Sequence, residues 1–206
     1  LFGRMVVTVL PIMPRFIVGW VAKRYVAGKN IDSAVSTMIE LGNKEGCCFT
    51  VDVLGEDIKS VEEAEFFVNE YQLVIDAIVE NQIDANISIK PTAFGLLINE
   101  DTAYKNFEKL LQKAAEKDIF VRFDMEDHRV TQSTIDMVLK LYDNGFTNIG
   151  VVLQARLLRT PDDIQNICDK LGPSADFRIC KGIYLEPGEI AHTEYHQINY
   201  AFSEAI

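Results

Sequence analysis

Long apolar runs are missing from this chain of 206 residues. Its most hydrophobic stretch, MVVTVLPIMPRFIVGWVAKRY (5–25), is broken by Pro11, Pro14 and Arg15. No segment therefore reaches the ~18 uninterrupted residues that a membrane-spanning helix needs. The stretch also lacks the basic start and small-residue cleavage site of a signal peptide. Basic charge is scarce: 20 Lys and Arg face 31 Asp and Glu, a net charge of -11. That balance excludes a general nucleic-acid or anionic-membrane binder, whose phosphate-contacting surface needs a basic excess. The four cysteines, Cys47, Cys48, Cys168 and Cys180, contain no C-x-x-C pair. Buried, reduced thiols in a cytoplasmic protein are the expectation, with Cys47 and Cys48 on opposite faces of a strand. No glycine-rich phosphate loop of Walker or dinucleotide type occurs. His192 and His196 are four apart in HTEYH, but Thr193 stands where a zincin has its glutamate. No metal site is expected.

What is present is the composition of a globular protein, 48% hydrophobic and 25% charged. The length suits one sizeable core and is short for two domains. The chain begins with Leu1 rather than Met, so a piece of a longer protein is expected. Residues 1–45 read as an N-terminal helical arm that packs on the body or leans on a membrane surface.

From residue 47 onward, short β-rich runs alternate with helical stretches. The runs are CCFTVDVL, ANISIK, DIFVRFDM, TNIGVVLQ and DFRICKG, rich in Val, Ile and Phe and bounded by turn formers. Between the first two, Ser60 and Glu63 form a capping-box pattern, and Val61, Ala64, Val68, Tyr71, Ile75 and Ile78 follow helical spacing. Asp101 signals a helix over TAYKNFEKLLQKAAEK, and TQSTIDMVLKLYDNG reads as another, closed at Gly145. Thr160 is the expected N-cap of PDDIQNICDKLG, with Pro161 at its first position, and a last helix is expected from about Glu189 to Ile206. Alternation at this pitch implies parallel strands with right-handed crossovers.

Five β/α units permit two architectures: an open doubly wound sheet of flavodoxin type, or the first five units of a (β/α)₈ barrel. Length favours the first and the polar residues favour the second. A buried parallel strand should be almost continuously apolar. Here Lys90 ends the second run, Arg122 and Asp124 share a face at the end of the third, and Gln154 ends the fourth. Arg178 and Lys181 lie on opposite faces of the fifth, just before Gly182. The carboxyl ends of strands are where α/β proteins place their active sites.

Taken together, SIKPTAFGL (88–96), RFDMED (122–127), GVVLQARLLRT (150–160) and RICKGIYLEP (178–187) resemble the proline dehydrogenase family. FTVDVLGE (49–56) and RYVAGK (24–29) resemble it too, so the likeness runs in order through nearly the whole chain. It implies a (β/α)₈ barrel, with residues 46–206 forming about its first five units. It implies FAD as cofactor, and hydride transfer from L-proline to the flavin to give pyrroline-5-carboxylate. The implied electron acceptor is a quinone, with peripheral membrane contact for the arm and a cytoplasmic location.

By the same resemblance Lys90 contacts the substrate carboxylate, Asp124 is an active-site acid near it, and Tyr184 packs on the proline ring. Met125, Gln154, Arg178, Lys181, Gly182 and Ile183 line the flavin, with Gln154 at its pyrimidine edge and Arg178 beside its N5 atom. Positive charge there would stabilise a reduced, electron-rich ring. Asp127, His128 and Arg129 are expected in a solvated loop. Two departures follow: Ile183 replaces the family's usual alanine, and the family's carboxylate-clamping arginine pair on the last barrel helix is absent. Two rival readings stay open at this point, a Schiff-base lyase or aldolase using Lys90 and an inactive half-barrel with an exposed sheet edge.

Overall fold

A computed structural model describes residues 30–206, together with Pro14 and Ala27. The apolar stretch 5–25, apart from Pro14, and most of RYVAGK lie outside the described residues. The elements run α1 (Ile31–Glu45), β1 (Phe49–Val51), α2 (Val61–Glu80), β2 (Ala85–Ile89), α3 (Glu100–Glu116), β3 (Val121–Phe123), α4 (Thr131–Asp143), β4 (Ile149–Gln154), α5 (Thr160–Leu171), β5 (Phe177–Cys180) and α6 (Tyr195–Glu204). A 3-10 turn, Pro91–Phe94, follows β2, and another, Gly172–Ser174, follows α5.

The sheet order is β1-β2-β3-β4-β5, and each neighbouring pair is parallel. That order decides between the two architectures. A doubly wound sheet reverses direction at a switch point, whereas here every crossover moves the chain one strand further the same way. The strands curl into a half-barrel wrapped by helices.

Side-chain alternation gives the two faces of the sheet different jobs. Ile87, Ile89, Val121, Phe123, Val151 and Leu153 face the helices and are buried in one core. Helix α2 contributes Ala64, Phe67, Val68, Tyr71, Val74, Ile75 and Ile78 to it. A chain of rings ties four elements together in this core. Tyr71 to Phe94 is 5.7 Å between centroids, and Phe94 to Phe107 and Phe107 to Phe123 are each 5.0 Å. Each such fully buried side chain contributes about 1.5–3 kcal/mol by leaving water.

The caps refine the sequence reading. Ser60 does cap α2, accepting from the Glu63 amide, but the Glu63 carboxylate accepts from the Lys59 amide. Helix α3 is capped by Asn99, whose Oδ1 accepts from the Thr102 amide, so Asp101 is inside the helix. Thr160 is the first residue of α5 rather than its cap, because its hydroxyl instead donates to the Gln154 carbonyl. The final helix starts at Tyr195, not near Glu189, because His192 and Leu158 are held by backbone bonds to Arg156 and Ile190 in an extended loop. His192 and His196 therefore do not share one helical face. The cysteines are free as expected, but none is fully buried, and Cys48 is exposed.

Candidate functional site

The inward face of the sheet is polar along most of its length. Period-two alternation places Asp52 beyond β1, Ser88 in β2 with Lys90 beyond it, Arg122 in β3 with Asp124 beyond it, and Arg178 in β5 on this side. Strand β4 offers only small groups before Gln154: Gly150 stands in register with Arg122, and Val152 with Arg178. This low saddle lets two arginines reach across it. Arg178 crosses β4 to the Asp124 carboxylate and is 3.3 Å from the Ser88 hydroxyl. Arg122 crosses lower down to Asp176, 2.7 Å away, and its guanidinium sits 4.9 Å above the Phe120 ring. Gly150 is required for that passage, since a Cβ there would lie 2.8 Å from the Phe120 ring and 2.9 Å from the Asp176 carbonyl oxygen.

At the carboxyl ends the charges alternate from strand to strand. Lys90 Nζ is 2.6 Å from Asp52 Oδ2 and 3.8 Å from Asp124 Oδ2, and Asp124 in turn pairs with Arg178. The Ser88 hydroxyl donates to the Asp124 oxygen that Arg178 holds. Beneath them, the Tyr71 hydroxyl lies 2.7 Å from both Asp52 Oδ1 and the Ser88 carbonyl, and accepts from the Val53 amide at 3.0 Å. Burial, then the Asp52 charge, pushes the Tyr71 hydroxyl far above its ordinary pKa, so it stays a neutral donor. Burial alone would lower the Lys90 pKa. The Asp52 hydrogen bond and charge, with the charges of Asp124 and Glu56, outweigh it and raise the value.

A second tier ties the loops at the mouth together. Both oxygens of the buried Glu126 accept from Thr92, one from its hydroxyl at 2.6 Å and one from its amide at 2.8 Å. The Thr92 hydroxyl accepts from the Asp57 amide, so three loops meet there. Burial lifts the Glu126 pKa to about 7, although the Thr92 bonds oppose the rise. Gln154 donates from Nε2 to the Glu126 carbonyl at 2.7 Å. Tyr184 donates to Glu56 at 3.0 Å, joining the β5–α6 loop to the β1–α2 loop.

The structure thus brings Lys90, Asp124 and Arg178 into one cluster, with Gln154 and Tyr184 in the rim around it, while the Met125 side chain points the other way into the apolar core. Met125 and Gln154 are buried, whereas Ile183 is 87% exposed. Gly182 adopts a left-handed φ of 93° and passes so close to Gln154 Oε1 that a Cβ would meet it at 2.6 Å. The Lys181 side chain does not join the cluster: its ammonium lies over the rings of Tyr195 (5.5 Å) and Phe202 (5.7 Å). Asp127 and Arg129 pair with each other in a largely exposed loop, but His128 is anchored to the fully buried Glu186 carboxylate.

Sequence reasoning missed Asp52, Ser88, Tyr71, Glu126, Arg156 and Glu186. Asp52 was findable, because it ends its strand on the same face as Lys90 does. The others act through partners in distant units and have no local signal. Among the described residues no group of three or more His, Cys, Asp and Glu is arranged to hold a metal ion.

Chemically, the cluster offers a cationic ammonium and a guanidinium interleaved with carboxylates in a half-buried hollow. Such a surface suits a small zwitterion, whose carboxylate meets the cations while its amine meets the acids.

Comparison with known proteins gives a consistent result. A family model described as Proline dehydrogenase matches residues 35–204. Proline dehydrogenase 1 of Bacillus subtilis (strain 168) is 35% identical over 185 residues, 90% of this chain and 60% of that protein. The proline dehydrogenase of Deinococcus radiodurans is 30% identical over 189 residues, again 90% of this chain and 60% of the relative. Among solved structures, proline utilization A from Bdellovibrio bacteriovorus, inactivated by N-propargylglycine, aligns with a TM-score of 0.80 at 22% identity. The alignment covers 89% of this chain and 23% of that one. The Bradyrhizobium japonicum protein of the same name, as a D778Y mutant, gives 0.70 at 16% identity, over 86% of this chain and 21% of that one. These structural likenesses establish the β/α barrel fold. The chain spans about three fifths of the length of the curated relatives it matches.

Proposed function

The chain belongs to the proline dehydrogenase family, and from that premise we propose that it carries the part of an FAD-dependent proline dehydrogenase that binds L-proline and one side of the flavin. The observation that carries this reading is the alternating line of Asp52, Lys90, Asp124 and Arg178 at the strand ends. The domain reading is a helical arm over 1–45 followed by a partial catalytic barrel over 46–206.

In this reading Lys90 binds the proline carboxylate. Asp52 and Asp124 keep its ammonium charged and aimed, since the Lys90 pKa is raised rather than lowered. Tyr184, held by Glu56, packs against the proline ring and excludes water from it. Met125, Gln154, Arg178, Lys181, Gly182 and Ile183 would hold FAD. The residues fit such a group: Gly182 has no room for a side chain against Gln154, so its backbone is left bare, and Ile183 projects freely beside it. Lys181 would contribute through its backbone, its ammonium being engaged on the α6 rings. When bound, FAD supplies the hydride acceptor for proline C5, with electrons passing on to a quinone. Arg178 sets a positive charge in the hollow, and Asp124 and Ser88 hold its guanidinium there.

A Schiff-base role for Lys90 is disfavoured, because that chemistry needs a depressed lysine pKa. Among the described residues no helix is long and apolar enough to cross a membrane. The remaining proposals are a cytoplasmic location and a peripheral membrane contact made by the arm. Co-flotation with lipid vesicles tests the contact, and protein left in the soluble fraction with and without proline sinks it.

The deciding test is an absorbance spectrum with FAD before and after anaerobic addition of proline. A bound flavin band that bleaches with proline supports the assignment. The same pair of spectra on a chain extended to the full length of the relatives covers the case where these five units do not suffice. An extended chain that stays colourless overturns it.

A further inference from the structure

The β5–α6 loop, residues 181–194, carries Lys181, Gly182, Ile183 and Tyr184, yet it has almost no core of its own. Ile183 is 87% exposed and Leu185 is 96% exposed. Apolar burial therefore does not hold this segment in place, and something polar must. Tyr184 on Glu56 and Glu186 on His128 tie its outer part, and the residue that grips both its ends lies under it.

Arg156, just past the end of β4, is only 8% exposed, and among the described residues no carboxylate pairs with it. The two terminal nitrogens of its guanidinium are instead solvated by backbone carbonyls of the loop, while Nε is buried without a partner. One terminal nitrogen donates to the Tyr184 carbonyl, and the other lies 3.4 Å from the His192 carbonyl. The Arg156 backbone grips the same segment twice more. Its amide donates to the Lys181 carbonyl at 3.2 Å, and its carbonyl accepts from the His192 amide at 2.8 Å. An antiparallel bridge between Leu157 and Ala191 continues that grip. The Arg156 methylenes also form the floor beneath Gly182, where a Cβ would meet Cδ at 2.7 Å and Cγ at 2.9 Å.

We infer that Arg156 is the positioning residue of this site: its planar fork, bonded to carbonyls at both ends of the loop, presets the Gly182–Tyr184 segment before any ligand arrives. A buried, uncompensated guanidinium is costly, and a lysine would serve equally if charge alone mattered. What arginine adds is a rigid pair of donors that spans from Tyr184 to His192. The inference rests on the flavin reading for what the loop does, and on geometry alone for what holds it.

The test separates the two. Hydrogen exchange on the chain without flavin should show the amides of 182–194 exchanging about tenfold faster in Arg156→Met than in the parent. Amides of β2, β3 and β4 should keep their parent rates. Arg156→Lys should stay fast in the loop, because a single ammonium cannot span both carbonyls, and it keeps the charge should the methionine variant fail to fold. FAD titration by fluorescence quenching should then show both variants weakened by about tenfold or more, with arginine alone giving full affinity. Unchanged loop exchange in both variants overturns the inference, as does acceleration spread equally over the strands. If the parent chain binds no flavin, the functional reading is at stake, and the exchange comparison still decides the role of Arg156.

Discussion

Along each strand one set of side chains faces the helices and the alternate set faces the hollow, and the two sets differ in kind. The outward set, from Ile87 through Leu153, is aliphatic or aromatic and interlocks with α2, α3 and α4. Apart from Gly150 and Val152, the inward set is Asp52, Ser88, Lys90, Arg122, Asp124, Gln154 and Arg178, whose contacts are hydrogen bonds and ion pairs reaching across one or two strands. A shift of one residue in register would exchange the two sets. The sheet is thus apolar and interlocked with helices on one side, and polar on the side that faces the hollow. Mutations on the two sides should therefore fail in different assays.

The largest effect should come from the outward face. Phe123→Ala removes a fully buried ring that packs at a tilt against Phe107 and should destabilise the fold by about 3–5 kcal/mol in urea unfolding. A loss under about 1 kcal/mol would mean that the ring chain is not a central tie.

Next is a pH effect at the rim between the two faces. Glu126 has a folded pKa of about 7 against an ordinary value of 4.5. Between those values the folded state holds a proton that the unfolded chain has released. Its contribution is thus fully present below pH 4.5 and is lost as pH rises to about 7, by up to about 3 kcal/mol. Glu126→Gln should flatten that part of the stability–pH curve, whatever its effect on the absolute level. A slope that survives the substitution would assign the titration to another group.

Gly150→Ala tests the saddle itself. The added methyl would press on the Phe120 ring and the Asp176 carbonyl, and should cost about 1–3 kcal/mol by thermal melting. It should also break the Arg122–Asp176 pair. Smaller still in stability is Lys90→Met in the half-buried hollow, where Asp124 keeps Arg178 and Asp52 keeps the Tyr71 hydroxyl as partners. About 1 kcal/mol is expected, while the proline-dependent flavin bleaching of the proposed function should be lost. Equal loss in both assays would erase the distinction between the faces. At the bottom of the series, Leu54→Asn, at a residue 92% exposed, should leave the unfolding midpoint unchanged within about 0.5 kcal/mol.

How far the sequence could be read follows the same division. Val-, Ile- and Phe-rich runs between turn formers located the five strands of the described residues, and apolar spacing located the α2 face from Ala64 to Ile78, because burial selects residue types and a period that local residues record. The polar endings Lys90, Asp124, Gln154 and Arg178 were legible as exceptions to that period. Strand order was not, since alternation of β and α fits a sheet that reverses and one that does not. Arg122 was misleading: its polarity marks a crossing to Asp176 at the opposite end from Lys90 and Asp124. Arg156 and Glu186 could not be read at all. Each is a buried charge whose partners are supplied by a loop some thirty to sixty residues away along the chain.

The one-directional strand order has a consequence for how the protein assembles. Each strand pairs only with the strand that precedes or follows it in the chain, so every ladder closes a loop one β/α unit long. Among these five strands no pairing waits on a distant segment, and the entropy of closing their ladders is spread evenly over the units. As the chain leaves the ribosome, each new unit can dock on the one already formed, with its polar inward residues meeting their partners last.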